Sequence, residues 1–400
     1  MSFSLTLTEE QTATQKWAHE FAEREIRPVA AAYDESEEFP WPVVDKAREI
    51  GLYGLEYYQM AGSDESGLTS AIVSEELTWG CAGIGLAILG SGLALAGLAG
   101  SGTPEQFTTW APRIFANDDG STAVGAFAVT EPSAGSDVSS LRTRAERVAG
   151  GWRLHGTKVF ITNGGIAGVH VVVATVDPAL GHKGQATFLV PPGTPGLRQG
   201  RKERKLGIRA SHTAEIVLED CVVPDDCLLG GEDALARKME AGRTGTSTRR
   251  SGALSTFEAT RPFVAAQALG IARAAFEYSR DYAKERLAFG KPILSNQAIA
   301  FKLADMATEI DCARLLVWRA AWMGRAGVPF KQAEGSMSKL KAGEVAVWVT
   351  DQAIQILGGY GYIKDFPVEK WHRDSKIYTI FEGTSEIQRL VISRAVAAAT

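Results

Sequence analysis

Cysteine is scarce in this chain of 400 residues: Cys81, Cys221, Cys227 and Cys312 are the four, and no two of them form a C-x-x-C pair. That excludes a disulfide framework and the common zinc sites, and it suits a reducing compartment. Histidine is sparse as well; the six, at 19, 155, 170, 182, 212 and 372, show no metal-ligand spacing. No G-x-G-x-x-G follows a strand-like run, and G-x-x-x-x-G-K-[ST], H-E-x-x-H and G-x-S-x-G are all missing, which sets aside nucleotide-loop, zincin and serine-elbow chemistry. Neither sign of charge dominates: 42 Lys+Arg against 47 Asp+Glu leave -5, too balanced for a dedicated nucleic-acid binder. Long apolar runs are lacking too, because the most apolar stretch, Ile84 to Ala99, is broken by Gly85, Gly90, Gly92 and Gly97 and reads as buried helices. The start MSFSLTLTEEQ has no basic, apolar leader and the end RAVAAAT no recognisable address, so the expectation is a soluble, cytoplasmic protein.

What is present is ordinary globular composition, 45% hydrophobic and 22% charged, at a length that suits two or three packed units. Thr8 and Gln11 have capping-box spacing ahead of a helical period carrying Trp17 and Phe21, and further helical stretches run through 41–50, 69–78 and on to Ala116. Near Ser121 the pattern changes to short β-branched runs separated by Gly, Pro and Asp. After Pro224 a polar segment reads as a loop with a helical piece at 234–240. Helical periodicity then returns from Phe257, with helices at about 295–326, 330–357 and 382–397. The expected fold class is mostly α with a central β domain: helices over 1–120, strands over 121–230, a connecting loop at 231–256 and a helical bundle over 257–400.

Four segments carry possible chemistry. Phe127 to Ser140, FAVTEPSAGSDVSS, runs from a strand into a turn dense in hydroxyls; it can offer amides and the Thr130 hydroxyl to a planar polar ring, yet a simple hairpin turn explains it better on composition. Trp152 to Gly165 ends a strand in Phe160-Ile-Thr-Asn163 before paired glycines, an aromatic face and hydroxyl that a buried strand with an Asn-Gly turn also accounts for. Gln355 to Asp374 holds Gly358 and Gly359, read evenly as a ligand approach or as helix C-caps. In Ile377 to Arg389, IYTIFEGTSEIQR, Glu382 lies between an apolar run and a Gly-Thr-Ser turn, so that it is either a desolvated base or an ordinary acidic residue in the first turn of a helix.

All four occur in this order on a helix–strand–helix layout, and in combination they resemble the acyl-CoA dehydrogenase family over essentially the whole chain. The resemblance implies an N-terminal helical domain, a barrel-like middle domain and a C-terminal four-helix bundle. It also implies non-covalent FAD at domain and subunit boundaries, a homotetramer, electron-transferring flavoprotein as acceptor, and a role in fatty-acid β-oxidation. Phe127, Val129, Thr130, Phe160 and Thr162 match residues around the flavin ring, and Ser136 one that touches both FAD phosphate and CoA. Arg286, Phe289 and Gln297, with Gln355 and Gly359, match residues that reach a neighbouring subunit's FAD; Thr384 and Glu386 match further FAD contacts. Glu382 resembles the catalytic base, which takes the acyl α-proton while the β-hydrogen leaves as hydride to flavin N5, giving a trans-2-enoyl-CoA; its backbone N–H and a ribityl hydroxyl hold the thioester carbonyl. Phe381 and Gly383 flank it at the substrate.

Some branches carry the base at the position of Thr260, where threonine cannot serve. Glu258 is then a minor alternative base or a CoA contact, and Arg261 matches an acyl-CoA contact. Arg243, Arg249 and Arg250, in the long 231–256 segment, reach either CoA phosphate or only solvent. Glycines and alanines between Ile84 and Leu98 either widen the acyl pocket or pack helices. Two rival readings of the whole are an oxygen-using flavin oxidase or monooxygenase on the same fold and a non-catalytic protein that binds CoA thioesters.

Overall fold

The computed structural model describes residues 4–246 and 252–398, with side chains left out from 252 to 259. The Thr8 hydroxyl and the Gln11 side chain cap one another's backbone at the start of α1 (Glu9–Phe21), the capping box expected from their spacing. There follow α2 (Ala30–Ser36), α3 (Trp41–Glu49), α4 (Leu55–Ser63), α5 (Thr69–Gly80), α6 (Ala82–Leu89), α7 (Ser91–Ser101) and α8 (Pro104–Trp110). The apolar stretch breaks at Gly90 into α6 and α7. Joined, Ala82–Ser101 has the length and apolarity of a membrane span, but most of it is packed inside the protein. Its glycines are filled rather than hollow: a Cβ on Gly92 would meet the Tyr58 hydroxyl at 2.3 Å, and one on Gly97 the Phe127 ring at 2.7 Å.

Strands β1 (Gly125–Ala128), β2 (Arg144–Val148), β3 (Gly151–Thr162), β4 (Val169–Thr175), β5 (Gln185–Val190), β6 (Leu197–Lys202) and β7 (Thr213–Pro224) form one sheet in the order β1-β4-β2-β3-β7-β6, with β5 on β4. Parallel β1 and β4 are buried along their whole length, whereas β6 has no buried residue and lies open to solvent. Along β3 the register against β7 slips by one residue between Lys158 and Ile161. This bulge puts Phe160 at φ +57° and turns its ring outward, 64% exposed, which is the opposite of a side chain buried in a strand.

Beyond the sheet come α9 (Gly231–Arg243), α10 (Gly252–Glu285), α11 (Gln297–Arg325), α12 (Glu334–Leu357), α13 (Val368–Ser375) and α14 (Ser385–Ala398). Within the 231–256 segment the helical piece expected at 234–240 extends over 231–243. Glu232 and Asp233 in the first turn of α9 favour its dipole, Leu235 is buried, and the Lys238 ammonium bonds to the Gln185 carbonyl. With one buried apolar residue, that helix leaves almost no periodic trace in the sequence. Arg243 pairs with Asp177 at 3.3 Å on the β domain, and Arg249 and Arg250 lie outside the described residues. Helices α10 and α12 pack most extensively, and α10 also lies along α5, joining the two helical regions.

Candidate active site

Glu382 lies three residues ahead of α14, so it is not a first-turn helix residue; that place belongs to Glu386. Its backbone takes φ +55°, an uncommon conformation for a residue with a Cβ, and Gly383 follows at φ +91°. Such a corner persists only where its surroundings over-determine it. Gln388, fully buried, donates from Nε2 to the carbonyls of Glu382 (3.1 Å) and Gly383 (2.9 Å), and Lys339 of α12 donates from Nζ to the same Gly383 carbonyl at 2.7 Å. Thr260 of α10 donates its hydroxyl to Glu382 Oε2 at 2.9 Å. Next to it Arg261 is buried and donates from Nη1 to Ser336 Oγ at 2.9 Å, and Phe381 meets Tyr378 edge-on with ring centroids 5.1 Å apart.

Surrounded in this way, the Glu382 carboxyl is pushed up to about 7 by desolvation, against the pull of the Thr260 hydroxyl, Arg261 and Lys339. A carboxyl that holds its proton in the folded state but loses it at ordinary pH when unfolded weakens folding as pH rises from the usual carboxylate range to about 7. For reactivity the direction reverses, because only the ionised form is a base. The rate of substrate dehydrogenation is expected to climb through about pH 7 and level off above it, measured as flavin bleaching in single-turnover mixing. A rate that is flat across that range would show that another group takes the proton.

A second arrangement lies where β1 and β3 end. Val129 and Phe127 are buried, while Thr130 and Thr162 are partly exposed beside the outward Phe160 ring. Val159 N–H bonds to the Thr130 carbonyl at 2.9 Å and ties the two strand ends together. Beneath them the fully buried Lys158 donates to Val129 O (2.9 Å) and to Glu131 Oε1 (2.7 Å), and Glu131 accepts from the backbone of Arg142 and Thr143. Burial draws the Lys158 ammonium down to about 8, and the charge and hydrogen bonds around Glu131 hold that carboxyl below its usual range despite its burial. Ser136 is exposed on the loop that follows. A rigid shelf with one bare aromatic face and two hydroxyls at its rim suits a planar, partly polar ring system such as a flavin.

The remaining site residues fall into two further places. Arg286 lines a pocket of about 490 Å³ with Tyr282, Gly358, Gly359 and Tyr360, its guanidinium 5.3 Å from the centre of the Tyr360 ring. A Cβ at Gly358 or Gly359 would meet open space. Phe289, at φ +53° on the tip of the small hairpin after α10, is 99% exposed, and Gln297 and Gln355 are exposed as well. Thr384 and Glu386 line a different pocket of about 610 Å³ with His372 and Lys376. Glu258 has no described side chain. Lys339, Ser336 and Gln388 escaped the sequence reading. Each sits in an ordinary helical period, and only the adjacency of Gln388 to the EGTSE segment hinted at a role.

Three family models, the N-terminal, middle and C-terminal domains of acyl-CoA dehydrogenase, match residues 8–118, 126–221 and 251–397. The chain belongs to the acyl-CoA dehydrogenase family. It is 42% identical over 392 residues to the short-chain specific acyl-CoA dehydrogenase, mitochondrial, of Bos taurus, a match covering 98% of this chain and 90% of that one. It is also 42% identical over 400 residues to the acryloyl-CoA reductase (NADH) of Anaerotignum propionicum, covering 99% and 96%. Its fold matches butyryl-CoA dehydrogenase from Megasphaera elsdenii with a TM-score of 0.87 at 36% identity, covering 98% of this chain and all of that one. This acyl-CoA dehydrogenase is therefore an FAD-dependent enzyme acting on acyl-CoA thioesters.

Proposed function

We propose that the enzyme dehydrogenates a short-chain acyl-CoA at Cα–Cβ with Glu382 as the base, giving a trans-2-enoyl-CoA. The observation that carries this reading is the Glu382 carboxyl itself, pushed up to about 7 and held at a fixed corner by groups from α10, α12 and α14. At that value both protonation states are populated near neutrality, so the group can take the α-proton and later release it. Bound FAD supplies the acceptor for the β-hydride. Phe127, Val129, Thr130, Phe160 and Thr162 form the shelf that holds its ring system, and Ser136, Thr384 and Glu386 add polar contacts. Arg286, Phe289, Gln297, Gln355 and Gly359 serve the cofactor of a second copy. The exposure of Phe289 and the separation of the two pockets support that division, and the likeness to the family suggests an assembly of four chains. Arg261, Phe381 and Gly383 border the thioester, and electron-transferring flavoprotein takes the electrons onward. The regions 1–120, 121–230 and 257–400 are the domains that carry these roles.

Two observations support a short acyl group. Two of the relatives named above are described as a short-chain specific and a butyryl-CoA enzyme. Gly92 and Gly97 of α7, moreover, are packed by Tyr58 and Phe127 and leave no added depth. Anaerobic titration with thioesters of graded length tests the reading: butyryl-CoA should bleach the flavin fully and octanoyl-CoA poorly, and the opposite order would overturn it. Tyr58→Ala is expected to raise kcat/KM for hexanoyl-CoA relative to butyryl-CoA by up to about a hundredfold, since the chain is longer by two methylenes and each one accommodated is worth roughly tenfold. An unchanged ratio would place the acyl chain elsewhere.

A further inference from the structure

The Gly383 carbonyl has two donors where one would satisfy it. Gln388 reaches it at 2.9 Å with a neutral amide, and Lys339 reaches it at 2.7 Å with an ammonium that is only 1% exposed. Burying a charge for a bond that a neutral donor already makes is costly. The surplus is the charge itself, and its neighbour is the carboxyl of Glu382.

We propose that Lys339 is a positioning residue for the reaction: its ammonium clamps the Gly383 carbonyl, keeping the Glu382–Gly383 corner in its left-handed form, and its charge sets the proton affinity of the Glu382 carboxylate. This rests on Glu382 being the base. While Glu382 is ionised the two charges balance, and once it has taken the α-proton Lys339 is left as an uncompensated buried cation, which drives the proton off again and restores the base. Without that charge, burial would keep Glu382 protonated and idle at neutral pH. The charged and titratable groups that bear on the pair are Arg261 from α10, which acts on Glu382 with the same sign, and Glu386 at the start of α14, which opposes Lys339. Thr260 contributes only a neutral hydroxyl.

The test compares Lys339→Gln and Lys339→Met holoenzymes with the parent, following flavin bleaching by butyryl-CoA in anaerobic single-turnover mixing across about pH 6 to 9. In both variants the ascending limb should move up by about one pH unit, as expected for removal of a near opposite charge. The rate lost near neutrality should return at the alkaline end in Lys339→Gln, which keeps a donor, and return to a lower plateau in Lys339→Met, which keeps none. A purely structural role would lower the rate equally at every pH. Limbs that stay in the parent's place would overturn the electrostatic role, and equal plateaus for the two variants would overturn the clamp. Methionine is the better tolerated replacement for a buried ammonium, so if Lys339→Gln loses its flavin the Lys339→Met limb decides. Glu382→Gln, run alongside, separates the two levels: if it still turns over, the base assignment fails, whereas an inactive Glu382→Gln with unmoved Lys339 limbs sinks only this proposal.

Discussion

Glu382→Gln is expected to slow substrate dehydrogenation by about a thousandfold or more while leaving the protein folded, yellow and able to bind acyl-CoA. The substitution keeps shape and volume. Its amide can still accept from the Thr260 hydroxyl, and the corner carbonyls held by Lys339 and Gln388 belong to the backbone, so the geometry should survive. What disappears is the one carboxylate at the corner, among the described residues, that is basic near neutrality. Because burial raises the parent carboxyl to about 7 at some expense to stability, the neutral glutamine should unfold no more easily than the parent at pH 7. That pairing of outcomes separates lost chemistry from lost structure. Measured kcat within tenfold of the parent would remove Glu382 from the mechanism. A variant that was inactive but also depleted of FAD would point instead to a structural role for the corner.

The second large effect concerns stability. Lys158→Met is expected to cost about 3–5 kcal/mol of unfolding free energy, because it leaves the Glu131 carboxylate buried without its cation. Both side chains are shielded from water, and Glu131 is fixed in place by the backbone N–H groups of Arg142 and Thr143. The same ammonium holds the Val129 carbonyl, so its loss should also loosen the strand end beneath the flavin shelf and lower FAD occupancy. Lys158→Met combined with Glu131→Gln removes both charges and should recover part of the loss, since the single amide oxygen can accept from only one of the two N–H groups that now bond to separate carboxylate oxygens. Denaturant unfolding followed by far-UV dichroism, with flavin fluorescence read in parallel, checks both effects. A single variant that loses less than about 1 kcal/mol would mean that water or a rearranged side chain compensates Glu131.

Much of this was legible in the letters. The capping pair Thr8 and Gln11, the change of period near Ser121 and the return to helix after Phe257 are local signals, each produced by residues within a few positions of one another, and the structure follows them. The likeness to a family rests on four short segments in order, and that too is a property of the linear text. The places where the sequence misleads are those where distant neighbours decide. The helix read over 234–240 runs on to 231–243, because the β domain gives Leu235 and Lys238 something to pack and bond against. Phe160 looks like a core strand residue until a register slip between two strands throws it outward.

The division is sharpest at Glu382. The sequence by itself determined the order of helices and strands, the Gly-Thr-Ser turn after Glu382 and the family to which the chain belongs, because propensity, capping and turn chemistry act over a handful of residues. It left open whether that glutamate was a base or an ordinary acid at a helix start. Only the tertiary structure excludes the helix start and supports the proposed base, by setting Glu382 ahead of the helix at a positive φ, bringing up Thr260 from 122 positions away and placing Lys339, 44 positions from Gly383, beneath the corner. Desolvation and charge depend on what is near in space, so no reading of the neighbours in sequence could have raised that carboxyl to about 7.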